Sequence, residues 1–100
     1  MARLTMDVSH QLGLEEALRR LRDKLESVRD QFGGQVSEFR EEWCDNELAF
    51  HFSAVGMQIA GKVSVEPANV KVAADLPFAA AMFKGLIEKR VRDELDAVLA

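Results

Sequence analysis

The stretch FREEWCDNELAFHFSAVGMQIAGKVSVEPANVKVAADL, residues 39–76, decides the fold, because its turns dictate which residues face each other. A two-residue turn at Asp45-Asn46, both tolerant of positive φ, sets Trp43 against Leu48, Glu41 against Phe50 and Phe39 against Phe52. A second turn at Val55-Gly56 sets Phe52 against Ile59, Phe50 against Gly61 and Leu48 against Val63. A third at Pro67-Ala68 sets Val65 against Val70, Val63 against Val72, Gly61 against Ala74 and Ile59 against Leu76. All three registers gather the large apolar residues on one face, whereas a one-residue slip would send a whole set to the other. The stretch therefore predicts a four-stranded antiparallel meander. Gly61, between Phe50 and Ala74, marks room for a ring or a crossing helix.

The opposite face carries Arg40, Glu42, Glu47, His51, Lys62 and Lys71, among other polar residues, with the small Ala49, Ala60 and Ala73 between them. One wet face and one dry face imply a two-layer α+β domain with both helices on the dry side. Glu41 is the misfit, a carboxylate on the apolar face. An inward charge near a sheet edge discourages edge-to-edge pairing, and that structural role is the expectation here.

Outside the meander, Leu4, Met6 and Val8 alternate along a short first strand. From Leu14 the period changes, and Leu14, Leu18, Leu21, Leu25, Val28 and Phe32 form one stripe on a helix over 14–32. Glu15 and Glu16 suit the positive end of its dipole, and Gly33-Gly34 is expected to end it in the left-handed conformation. Pro77 opens a last helix whose stripe is Phe83, Leu86, Ile87, Val91, Leu95 and Val98. The element order is β-α-β-β-β-β-α. One helix links the first strand to the second, so the two run parallel. They are either adjacent or at opposite edges of the sheet, and the expectation adopted is opposite edges, with the first strand against the last.

The chain has 100 residues, 48% hydrophobic and 30% charged, which fits one globular domain over 1–100 and neither disorder nor a fibrous repeat. Thirteen basic residues against seventeen acidic ones give a net charge of −4, which argues against a nucleic-acid binder. Both helices are balanced in charge, and the whole excess lies on residues 35–54, where Glu38, Glu41, Glu42, Asp45 and Glu47 face Arg40 alone. An acidic hairpin keeps a sheet edge soluble, and it also offers a patch for a basic partner. The longest apolar run, Phe78 to Phe83, is far short of the roughly 20 residues of a membrane span. The N-terminus lacks a signal-peptide core, and a lone cysteine, Cys44, suits the cytoplasm.

Catalytic chemistry finds little support. His51 sits on the wet face with no second ligand at metal spacing, and His10 lies in a loop where it caps or turns the chain. Cys44 stands beside Asp45, whose charge disfavours a thiolate, and lies well along the sheet from His51. Gly33-Gly34 follows a helix and does not open one, so it is no phosphate loop. No catalytic residue, metal site or cofactor is expected. The strongest anomaly is Phe78-Ala79-Ala80-Ala81-Met82-Phe83. On a helical wheel Phe78 and Met82 fall outside the apolar arc, so either a neighbouring element covers them or they form an interface.

Ser9-His10-Gln11-Leu12-Gly13-Leu14-Glu15-Glu16-Ala17, then Phe32-Gly33-Gly34, then His51-Phe52-Ser53 with Gly56, and finally Phe83-Lys84-Gly85-Leu86-Ile87-Glu88 resemble the polyhydroxyalkanoic acid system family. These are small bacterial proteins encoded near polyhydroxyalkanoate synthesis genes, and the resemblance runs through nearly the full chain in the right order. It implies a role in storage-granule metabolism and brings no catalytic set with it. Phe83, Lys84, Gly85 and Glu88 carry over as family-like positions. Gly85 within a helix costs about 1 kcal/mol against alanine, and close packing would explain it.

Two functions from different classes are expected. The first is a noncatalytic interaction protein that binds a granule surface or granule protein, with a homodimer through Phe78 and Met82. The second is a small carrier that holds an acyl or hydroxyacyl ligand between helix and sheet around Gly61, Phe50 and Met57.

Overall fold

The computed structural model describes residues 2–34, 36–54 and 56–100. Strand β1 (Ala2–Ser9) leads into helix α1 (Leu14–Phe32). Strands β2 (Val36–Cys44), β3 (Glu47–Ala54), β4 (Met57–Val65) and β5 (Asn69–Leu76) follow. A 3-10 segment (Phe78–Phe83) then precedes helix α2 (Lys84–Leu99). The sheet is antiparallel throughout with the order β1-β5-β4-β3-β2, so β1 and β2 form opposite edges and run parallel.

The three expected turns set the register. Trp43 faces Leu48 and Glu41 faces Phe50. Phe52 faces Ile59, Phe50 faces Gly61 and Leu48 faces Val63. Val65 faces Val70, Val63 faces Val72 and Gly61 faces Ala74. At the first turn only Asp45 of the pair takes positive φ, at +55°. Asn46 instead ties the turn to the end of β4: its side-chain amide donates to the Val65 carbonyl, and its own carbonyl accepts from the Val65 N–H at 2.9 Å. Gly56 has φ +75° at the second turn, whose other residue, Val55, lies outside the described residues.

One register differs from expectation. Arg40 pairs with His51, but Ser37 pairs with Ser53, so the ladder slips by one residue between them. Glu38 sits there at φ +53° and forms a β-bulge, with its carboxylate accepting from the Ser53 hydroxyl at 3.2 Å. The rings of Phe39 and Phe52 still stack with centroids 6.1 Å apart.

The core lies under β1, β5 and the end of β4. Leu4, Met6, Val8, Val65, Val70, Val72 and Leu76 meet Ala17 and Leu21 of α1, and Ala80, Leu95 and Leu99 from the C-terminal part. Leu4, Leu48, Val65 and Val70 are fully buried, each contributing roughly 1.5–3 kcal/mol of transfer free energy. Towards β2 the cover changes from leucine to arginine. The Arg22 guanidinium lies 4.8 Å from the centre of the Trp43 ring, and that of Arg29 lies 5.1 Å from the centre of Phe39. Glu41 is therefore not a free charge: it pairs with Arg29 and accepts from the Trp43 indole N–H at 3.1 Å.

Helix ends correct two further expectations. Gly33, at the end of α1, is right-handed (φ −57°, ψ −28°), so no left-handed cap forms; a Cβ there would sit 3.0 Å from the Arg29 carbonyl oxygen. The side chain of Phe32, the last residue of the predicted stripe, lies outside the described residues. Past Pro77 the chain does not enter an α-helix at once, because the Lys84 N–H bonds to the Ala81 carbonyl in the tighter i→i−3 pattern. The α-helical stripe that packs inward is Ile87, Val91, Leu95, Val98 and Leu99. Phe83 and Leu86, expected within it, are exposed.

The two helices are clasped by charge. Arg20 donates to the Glu16 carboxylate at 2.8 Å and to the carbonyls of Val98 and Ala100 at 3.2 and 2.6 Å. Lys24 meets Glu94 at 2.8 Å.

Candidate functional site

Each chemically suggestive residue has a definite place. His10 is buried, and both ring nitrogens are engaged. The Leu12 N–H donates to Nδ1 at 3.2 Å, so Nε2 carries the hydrogen and donates to the Glu66 carbonyl at 2.9 Å. Together with its own N–H bond to the Ala68 carbonyl at 2.9 Å, His10 staples the β1–α1 loop to the β4–β5 turn. Cys44 is exposed opposite Glu47, while His51 pairs with Arg40 and Ala60 farther along the strands. Among the described residues no group of three or more His, Cys, Asp or Glu side chains could hold a metal ion.

The space expected near Gly61 is occupied. A Cβ at Gly61 would lie 2.7 Å from Phe50 Cζ and 2.9 Å from Ala74 Cα, and it would collide with the Ala73 carbonyl oxygen. The glycine makes room for the Phe50 ring, which also stacks on Phe52 with centroids 6.2 Å apart. Met57, the third residue of the predicted ligand site, packs against the core. Shallow, open depressions lie elsewhere, lined largely by wet-face residues. One of about 620 Å³ is lined in part by Thr5, Asp7, Lys62, Lys71 and Arg92, and one of about 490 Å³ by Arg40, Glu42 and His51.

The start of α2 is built differently from the rest of the molecule. Pro77 cannot donate a backbone hydrogen bond, and its extended ψ of 157° carries the chain away from β5. The Ala80 N–H bonds back to the Pro77 carbonyl at 2.9 Å, and the Ala80 side chain plugs into the core. With Ala80 as the anchor, its large neighbours turn outward: Phe78 is 86% exposed, Met82 82%, Leu86 69% and Phe83 53%. An α-helix turns 100° per residue and a 3-10 segment about 120°, so the inward stripe of α2 is not continued back through Phe83. Among the described residues no helix or loop covers Phe78 or Met82.

The other positions singled out from sequence fall on the same segment. Lys84 and Glu88 are half-buried, and Gly85 is exposed with nothing within 4 Å of the position a Cβ would take. Close packing therefore does not account for Gly85, contrary to expectation. Phe78, Met82, Phe83, Lys84, Gly85, Leu86 and Glu88 thus share one short stretch of chain. Sequence reasoning left Leu86 out of the exposed group, because it sits beside the inward stripe on a helical wheel. Residues 84–92 of α2 carry Lys84, Lys89, Arg90 and Arg92 against Glu88, and the acids Asp93, Glu94 and Asp96 follow. That order opposes the helix dipole, which favours acids first and bases last.

The family described as "Putative polyhydroxyalkanoic acid system protein" matches residues 4–99. The chain belongs to this family. The match takes in most of β1, the whole of β2, both helices and the exposed segment at 78–88, and the family's name connects the chain with the polyhydroxyalkanoate system. No curated protein and no solved structure matches the chain. No helix among the described residues is long and apolar enough to cross a membrane.

Proposed function

We propose that this protein is a noncatalytic interaction protein of polyhydroxyalkanoate storage-granule metabolism, and that it docks on the granule surface through the apolar start of α2. The observation that carries the reading is the outward orientation of Phe78, Met82, Phe83 and Leu86 on a segment whose only buried side chain is Ala80. Solvent-exposed phenylalanine and methionine contribute little to the core, and clustered exposure of this kind marks contact surfaces. An aliphatic polyester is an apolar partner that such a patch fits, and membership of the family supports that choice. The basic residues that follow, Lys84, Lys89 and Arg90, fit an interface bearing negative charge. A cytoplasmic location goes with this reading.

A noncatalytic role is supported by the structural use of His10, the exposed position of Cys44 at the end of β2 and the distance of His51 from it along the strands. The Phe50 ring lying against Gly61 counts against the carrier reading. Phe78→Asp combined with Met82→Asp tests the proposal. Recruitment of the protein to granules should be lost while the circular dichroism stays native, because both side chains are already in water. Recruitment equal to wild type would refute docking at this surface. Retained recruitment with loss of self-association would assign the patch to a homodimer instead.

A further inference from the structure

The two edges of the sheet are guarded unequally. β2 carries the bulge at Glu38 and the inward-facing Glu41, both of which discourage addition of another strand. β1 has neither. It pairs with β5 without interruption from Ala2↔Leu76 to Ser9↔Asn69, contains no proline and turns only Leu4, Met6 and Val8 inward. Among the described residues nothing pairs with its outer edge. Such a straight, regular edge is a template for another strand.

The residues of β1 say which strand. We propose that two copies of this chain join through β1, antiparallel across a two-fold axis at Thr5, into one continuous ten-stranded sheet. Side chains alternate between faces, so the wet faces stay together only when residues of like parity are paired. The two such registers that use most of the strand centre on Thr5 or on Met6. Centred on Met6, Arg3 would face the partner's Ser9, and Thr5 the partner's Asp7. Centred on Thr5, Arg3 faces the partner's Asp7 and Asp7 faces the partner's Arg3, while Leu4 faces the partner's Met6. The strand is self-complementary in charge only in the second register, and the symmetry uses that pair twice. Arg3, Thr5 and Asp7 are all exposed on the uncovered face. α2 packs on β1, so the pairing also brings α2 beside the partner's α2. The proposal is independent of granule docking, and it leaves Phe78 and Met82 free, giving each assembly two docking patches.

Sedimentation equilibrium of the full chain, without granules, tests it. Wild type should weigh twice the 11.2 kDa chain. Arg3→Asp or Asp7→Arg alone places like charges opposite each other at both pairs and should weaken association roughly tenfold or more. The double variant Arg3→Asp with Asp7→Arg restores complementarity and should restore the dimer. A monomeric wild type would overturn the proposal. So would single variants that associate like wild type, a double variant that stays apart, or a dimer dissolved by Phe78→Asp with Met82→Asp.

Discussion

Gly61 shows how closely the sheet is fitted at a single atom. Its missing Cβ is replaced by the Phe50 ring on one side and by the β5 backbone at Ala73 and Ala74 on the other. Gly61→Ala should therefore lower stability by about 1–3 kcal/mol, read as a reduced urea midpoint with an unchanged slope. Trimming Phe50 should not restore it, because the Ala73 carbonyl oxygen belongs to the backbone and cannot move aside. The pairing of Gly61 with Phe50 and Ala74 was legible in the sequence, since turn positions alone specify it. The choice between a ring and a helix was not, because register says nothing about side-chain rotamers. Gly85 illustrates the converse. A helical glycine points to close packing as readily as to open space, and only the neighbouring chain distinguishes the two.

Secondary-structure elements divide along the same line. Strand direction leaves β1 either beside β2 or at the opposite edge, where the sheet has it, whereas all five strands and α1 follow from apolar period and turn chemistry. The bulge at Glu38 does not, because glutamate carries no glycine-like mark for positive φ. Nor does the 3-10 segment, since Pro77 followed by three alanines is an equally good α-helix start. The clasp between α1 and α2 gives a test at this scale. Hydrogen bonds from Arg19, then from Arg20, hold the Glu16 carboxyl down to about 2 from its usual 4.5. The Lys24 ammonium, hydrogen-bonded to Glu94, lowers that carboxyl as well. A carboxyl depressed in the folded state stabilises the fold fully above its unfolded value, and the contribution disappears as pH falls towards the folded value. The urea midpoint of wild type should thus exceed that of Glu16→Gln at pH 7, and the gap should close between pH 4.5 and about 2. A gap independent of pH across that window would show that the clasp does not depend on the charge of Glu16.

At the scale of the whole molecule, the chain separates its acidic excess from its exposed apolar surface. The acidic excess lies on the β2–β3 hairpin, where Glu38, Glu41 and Glu47 have neighbours that partly offset it. The apolar surface lies at 78–88, after the sheet is complete. The outward position of Phe78 and Met82 could be read from helical angles as one of two alternatives. Their exposure depends on how far α1 and α2 reach across the sheet, a tertiary quantity that no local pattern encodes. Hydrogen exchange of the wild-type protein with and without purified granules tests docking most directly. The 3-10 segment is short and opens a helix, where the first amides lack helical partners, so its amides should exchange readily in the free protein. Granules should slow exchange selectively over residues 78–88 and leave the β2–β3 hairpin unchanged. Exchange at 78–88 that granules leave unaltered, or protection confined to the hairpin, would contradict the account.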